Sequence, residues 1–266
     1  MKMSHSKSLA KKIKTYSLKM VHNSGSSHIG SCLSITDILA VLYNDILNVK
    51  FNNPKQPNRD RFILSKGHAC AALYATLAIK KFFNTKELIN FASFNSSLMS
   101  HASHRVPGVE FSTGSLGHGL PFGVGKALFA KMNKKKWNVF VLLSDGELNE
   151  GSNWEALMFA AHHKLDNLSI IIDYNKLQSL TTTSKTLNLE PLIDKFKSFG
   201  FFVLEIDGHC HKSLKHYLSK KLIRTNQPKI IIANTIKGKG IDFMENKVEW
   251  HYKSPNQYQL DEALSQ

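Results

Sequence analysis

The chain has 266 residues, enough for one large domain or two small ones with a sizeable core. Hydrophobic residues at 42% and charged residues at 21% are ordinary globular usage and exclude a disordered, collagen-like or disulfide-stapled chain. With 35 Lys and Arg against 20 Asp and Glu the formal charge is +15, which favours phosphorylated metabolites, nucleic acid or an acidic protein surface without choosing among them.

From Leu9 the apolar positions Leu9, Ile13, Tyr16 and Met20 recur at three and four, the stripe of an amphipathic helix ending at His22-Asn23-Ser24-Gly25. The polar, glycine-containing stretch from Ser24 to Ser31 reads as a loop. Ser34, with Asp37 three residues on, predicts a capping box for a second helix through Ile38, Leu42 and Ile46. Arg61 to Ser65 is a short strand, followed by the loop Lys66-Gly67-His68 and a small-residue helix from Ala69 to Ile79. Gly119 to Ala127 misses the phosphate-loop pattern, because its first glycine is off spacing and Ala127 stands where Ser or Thr is needed; it reads as glycine-assisted helix packing.

Downstream, Val139 to Leu143 is an apolar run, Ser144-Asp145-Gly146 a turn, and Ser152 with Glu155 caps a helix from Trp154 to His163. Leu168 to Asp173 is another buried strand. A Pro191-started, Gly200-terminated helix leads into a strand from Phe201 to Ile206, and a helix around Leu214 to Ile223 into a strand from Lys229 to Asn234. Alternating β and α elements of this size predict an α/β fold, a parallel sheet with helices on both faces. No internal repeat or linker divides the chain, so residues 1–266 read as a single domain.

Cys32, Cys70 and Cys210 are far apart and odd in number, which suggests neither a disulfide framework nor a structural zinc site and makes a cytoplasmic location the default. No apolar run approaches the ~20 residues of a membrane span, and no export signal is visible. Lysine concentrations at Lys7, Lys11, Lys12, Lys14 and Lys19 and at Lys131, Lys134, Lys135 and Lys136 read as solvated helix faces or ends, not as a nucleic-acid site.

Asp145 closes one predicted strand, and Asn175 follows the next with one helix between them. If those strands are neighbours, their carboxyl ends lie about 4.8 Å apart, at the edge where open α/β sheets bind ligands. A carboxylate, an amide oxygen and a backbone carbonyl make an all-oxygen set suited to magnesium or calcium, with positions left for phosphate oxygens. The plainer alternative is a β-turn at Asp145-Gly146 and a strand-end cap at Asn175.

Ser144-Asp145-Gly146, then Glu147-Leu148-Asn149-Glu150-Gly151, and Asn175 at the matching interval resemble the thiamine diphosphate signature of transketolases. Ser27-His28-Ile29-Gly30, Leu64-Ser65-Lys66-Gly67-His68, Pro107-Gly108-Val109-Glu110 and Thr113-Gly114-Ser115-Leu116-Gly117-His118-Gly119 are similar to further motifs of that family, in the same order. Ile236-Lys237-Gly238-Lys239-Gly240 and Glu249-Trp250-His251 fit as well. The resemblance implies a thiamine diphosphate-binding fold and, specifically, the N-terminal, diphosphate-binding subunit of a split transketolase. The pyrimidine-binding and C-terminal domains would lie on a partner chain, in a two-plus-two assembly that includes self-association, with phosphorylated sugars as substrates.

By the same resemblance Asp145, Asn175 and the carbonyl of Leu177 would hold Mg2+ or Ca2+. His68, Gly114, Ser115, Leu116, Gly146 and Glu147 would join them around thiamine diphosphate, and Glu150 would sit at the interface between chains. His28, His68, His101 and His251 fall in motifs where histidine contacts cofactor or sugar; His104 is the alternative to His101, and a metal pair at the two is a third reading. His5, His22, His162, His163, His211 and His216 read as histidines without a direct role. Ser144 and His118 depart from the residues commoner in the family at those positions.

Thiamine diphosphate carries the carbanion chemistry, and the protein supplies orientation, charge stabilisation and proton transfer, for which imidazole with a pKa near ~6.5 is suited. Ketol transfer is the first reading. Its rivals are the cofactor half of another thiamine diphosphate enzyme, such as a deoxyxylulose-phosphate-synthase-like condensation, and a non-catalytic basic binding protein on the same fold.

Overall fold

The computed structural model describes residues 4–51, 53–219, 222 and 226–266. Five strands form one sheet: β1 (Arg61–Leu64), β2 (Val139–Ser144), β3 (Leu168–Tyr174), β4 (Phe202–Asp207) and β5 (Lys229–Asn234). Their order is β1-β2-β3-β5-β4, and every pairing is parallel. Parallel neighbours need a crossover, so the helices lie on the faces and both sides of each inner strand are dry. The alternation along β2 shows this: Phe140 and Leu142 face one apolar core, whereas Val139, Val141 and Leu143 face the other.

The first core is covered by α1 (His5–Ser24), α2 (Ile29–Ser34), α3 (Thr36–Val41) and α4 (Cys70–Ile79). On the second face lie α5 (Gly119–Met132), α6 (Gly151–His162) and, after the short α7 (Thr183–Thr186), α8 (Leu192–Ser198). The chain returns to the first face with α9 (His211–Leu218) and α10 (Gln257–Ser265). The predicted doubly covered sheet and all five strands are therefore present. In α5 a Cβ at Gly123 would meet Val141 Cγ2 at 2.5 Å, which is the close helix-on-sheet approach expected of this glycine-rich stretch.

Three local expectations are corrected. The loop read from Ser24 to Ser31 gives way at Ile29 to α2, all six of whose residues are buried. Ser34 does not cap the next helix: it ends α2, and its hydroxyl donates to Asp173 Oδ2 at 2.6 Å. A long-range carboxylate outcompetes the local cap. Ser152 likewise lies inside α6, which begins at Gly151, because its hydroxyl donates to the Gly117 carbonyl at 2.7 Å. Of the helix predicted from Leu214 to Ile223, α9 ends at Leu218, and Ile223 lies outside the described residues.

The end of α1 is as read: Gly25 takes the left-handed conformation (φ 61°) and its N–H closes onto the carbonyls of Val21 and His22. The lysine concentrations are exposed or partly so; Lys14 donates to the Gly240 carbonyl at 3.0 Å, and Lys131 pairs with Asp166 at 3.2 Å. The three cysteines are free, with Cys32 and Cys70 buried. No helix among the described residues is long and apolar enough to cross a membrane.

Candidate active site

The carboxyl ends of β1, β2, β3 and β5 deliver Lys66, Asp145, Asn175 and Lys237 to one edge of the sheet, as a parallel arrangement dictates. There they line a cavity of about 260 Å³ together with His28, His68, His101 and His251. Gly114, Leu116, Gly146 and Leu177 complete the predicted set. The register pairs Ser144 with Asp173, so Asp145 and Asn175 emerge side by side, as their spacing required.

Asp145 is buried and accepts from the backbone N–H groups of Gly146 at 2.7 Å and Lys176 at 2.6 Å. Burial, reinforced by the nearby Asp173 carboxylate, pushes its pKa up to about 7. An anionic oxygen at this position therefore calls for a cation. Asn175 presents its Oδ1 to the N–H of Leu177 at 3.1 Å, and its Nδ2 lies 3.2 Å from Asp173 Oδ2. Asp173 is the buried anchor beneath, ion-paired with Lys66 and also accepting from Ser34 and Thr235. Burial alone would raise its pKa, but the Lys66 charge and these donors hold it below the usual carboxylate value.

The residues fit a diphosphate with its cation. Lys66 and Lys237 put positive charge on a cavity whose lining carboxylate is Asp145, and the buried Nε2 of Gln178, beside Gly146, lacks a hydrogen-bond partner. A Cβ at Gly146 would press on Gln178 from 3.0 Å, so glycine keeps that wall open. Among the described residues no three His, Cys, Asp or Glu side chains form a metal-binding group. The candidate cation set is instead one carboxylate, one amide and one carbonyl.

Four imidazoles form the opposite wall. The His28 ring centroid lies 5.1 Å from His68, 5.9 Å from His101 and 4.9 Å from His251. Burial and their mutual charges lower these groups, His28 to about 4 and His251 to about 3, with His68 well below and His101 below its ordinary value, chiefly through burial. They are neutral at neutral pH, able to give and accept protons. His28 sits in the left-handed region at φ 75°, and its buried Nδ1 has no hydrogen-bond partner.

Between the two candidates, His101 lines the cavity, while His104 is exposed and its Nδ1 is 2.7 Å from Ser112 Oγ. Two expected cofactor contacts are not brought to the cavity. Ser115 is exposed outside its lining. Glu147 is fully buried behind it, where its carboxylate accepts from Ser65 Oγ and from the N–H groups of Gly117 at 3.0 Å and Ser144 at 3.3 Å. It ties three loops together instead of facing a ligand. Glu150 is exposed, and His118 is exposed with Nδ1 3.0 Å from the Leu116 carbonyl.

Sequence reasoning missed Lys66, Lys237, Gln178 and Tyr252 in the lining, and Tyr74 behind it. The Tyr74 hydroxyl donates to the His101 carbonyl at 2.8 Å and accepts from the Ser103 N–H at 3.0 Å, which fixes the His101 loop. The adjoining loops meet at Gly67, where a Cβ would collide with the Thr113 backbone. Lys66 and Lys237 both lie inside motifs that resemble the family, and a lysine within an apolar, glycine-rich segment was the available signal.

The family described as transketolase, thiamine diphosphate binding domain, matches residues 5–261. One of the two chains of an apulose-4-phosphate transketolase from Phocaeicola vulgatus is 40% identical over 247 residues, covering 93% of this chain and 88% of that protein. A 6-deoxy-6-sulfo-D-fructose transketolase subunit of Clostridium sp. (strain MSTE9) is 39% identical over 240 residues, covering 90% of this chain and 87% of that protein. Among solved structures, transketolase from Campylobacter jejuni superposes with a TM-score of 0.92 at 30% identity. That match covers 100% of this chain but only 43% of the other.

Proposed function

The chain belongs to the transketolase family through its thiamine diphosphate binding domain, and from that premise we propose that it is the cofactor-holding subunit of a two-chain transketolase. The pair would move a two-carbon ketol unit from a phosphorylated or similarly anionic ketose to an aldose. The observation that carries this reading is a cavity in which four neutral imidazoles face the Asp145, Asn175 and Leu177 oxygens.

Asp145, Asn175 and the Leu177 carbonyl are the proposed holders of Mg2+ or Ca2+, with Gly114, Leu116, Gly146 and His68 around the diphosphate. The bound cofactor supplies the carbanion chemistry that side chains lack. His28, His101 and His251 orient the sugar hydroxyls and carry protons, His28 at its unpartnered Nδ1. Lys66 and Lys237 offset the anionic charge of diphosphate and sugar.

A partner chain fits the size relation: this chain spans most of two relatives named as subunits, but less than half of a single-chain transketolase. The remaining domains and the cofactor-activating group belong, in this reading, to that partner, with exposed Glu150 at the contact in a two-plus-two assembly. The sugars named for the two relatives differ, so a branched or sulfonated ketose is as open as an ordinary sugar phosphate.

Calorimetric titration of thiamine diphosphate with magnesium, with and without the partner chain, tests the reading. Binding by the chain and its loss in Asp145→Ala are expected, with ketol transfer appearing only on reconstitution. Absence of cofactor binding under both conditions would overturn it.

A further inference from the structure

Lys237 is 1% exposed, and its ammonium reaches three acceptors: the carbonyl of Leu177 at 3.3 Å, that of Gln178 at 3.0 Å, and Nδ1 of His251 at 2.8 Å. A lysine ammonium has three N–H donors and no acceptor. Two are absorbed by carbonyls that can only accept, so the third meets His251 Nδ1 as a lone pair, and the ring proton of neutral His251 must reside on Nε2.

Resting on the function proposed above, we infer that Lys237 is a positioning residue that locks His251 as its Nε2–H tautomer, so that His251 meets the substrate as a hydrogen-bond donor.

The surroundings support the lock. The His251 carbonyl accepts from the His28 N–H at 2.8 Å, and its ring is flanked by His28 at 4.9 Å and Tyr252 at 4.8 Å between centroids, so it cannot turn freely. The lysine stem is held as well. Gly238, at φ 81°, donates to the Gly30 carbonyl at 3.0 Å, and a Cβ at Gly30 would stand 3.2 Å from Lys237 Cγ. Gly30, in the same motif as His28, thus leaves room for the lysine. Burial, followed by the Lys237 charge, lowers His251 to about 3, which keeps Nδ1 unprotonated and available as an acceptor. Because the other two acceptors belong to the turn after Asn175, one ammonium ties the proposed cation-binding turn to the histidine.

The test is long-range ¹H–¹⁵N NMR of the histidine-labelled chain, with His251 assigned by His251→Gln. The expected wild-type spectrum shows a neutral ring with Nδ1 unprotonated and Nε2 protonated, shifting toward a mixture of tautomers in Lys237→Met and reverting in Lys237→Arg. In the reconstituted pair Lys237→Met should lower kcat by roughly 10–100-fold, the range for removing the partner that orients a functional histidine. A wild-type His251 protonated on Nδ1, or a Lys237→Met spectrum identical to wild type, overturns the inference. The wild-type spectrum decides the matter even if Lys237→Met does not fold. The predicted tautomer in a chain that supports no ketol transfer with its partner would sink the functional reading and leave the positioning role standing.

Discussion

Replacing Asp145 by Asn should stabilise the cofactor-free chain while abolishing its response to thiamine diphosphate and magnesium. The carboxyl binds its proton at about 7 when folded, against a reference value of 3.8. A folded pKa above the unfolded one means that the group's stabilising contribution is fully present below about 4, declines as pH rises, and is lost above about 7. Above that pH the ionised side chain costs ~4 kcal/mol, at 1.36 kcal/mol per tenfold change in proton affinity.

Asn removes the ionisation, but it cannot accept from both the Gly146 and Lys176 N–H groups, and leaving one unpaired costs about 1–3 kcal/mol. The balance at pH 8 is a gain of ~1–3 kcal/mol, or a rise in Tm of roughly 2–10 °C for a chain of this size. At pH 5 the ionisation cost falls to about 1.6 kcal/mol, and the gain vanishes or reverses. Thermal unfolding of both chains from pH 5 to 8 reads the difference directly. A pH-independent difference, or a less stable variant at pH 8, would falsify the electrostatic account of the site. Adding cofactor and magnesium should then raise the Tm of the wild type alone.

Lys66→Met leaves Asp173 without its cation and should destabilise the chain by up to ~3–5 kcal/mol, tempered by the donors from Ser34, Thr235 and Asn175. Since the folded pKa of Asp173 is depressed, that deficit should be full at neutral pH and fade as pH falls below about 4, which acid titration of urea-unfolding midpoints would follow. Tyr74→Phe strips the His101 carbonyl and the Ser103 N–H of a partner and should cost about 1–3 kcal/mol, visible as faster hydrogen exchange in the 101–103 loop. His28→Ala should lower ketol transfer by roughly 10²–10⁴-fold with little change in cofactor affinity, separated by assaying rate and binding on one preparation. With His28 lowered to about 4 and His251 to about 3, the wild-type rate should show no imidazole limb near pH 6.5, and a limb there would contradict the neutral cluster.

The strands were legible because a parallel strand is buried on both faces, which writes itself as an apolar run: Val139 to Leu143 needs no partner to be recognised. The placement of Asp145 beside Asn175 followed from one crossover and one strand spacing, and the ordered motifs carried the family. Local glycine signals held where their cause was local, as at Gly25.

What failed was every assignment whose hydroxyl or carboxylate had a distant claimant. Ser34 looks like a cap until Asp173 comes within 2.6 Å, and Ser152 until the Gly117 carbonyl does. Glu147 looks like a ligand until three loop donors converge on it. Residue identity and spacing determined the fold class, the sheet edge that carries the cavity and most of its lining. Only tertiary structure decided which polar groups remain free for a ligand, because hydrogen-bonding capacity is finite and its use is settled by whichever partner the folded chain brings closest.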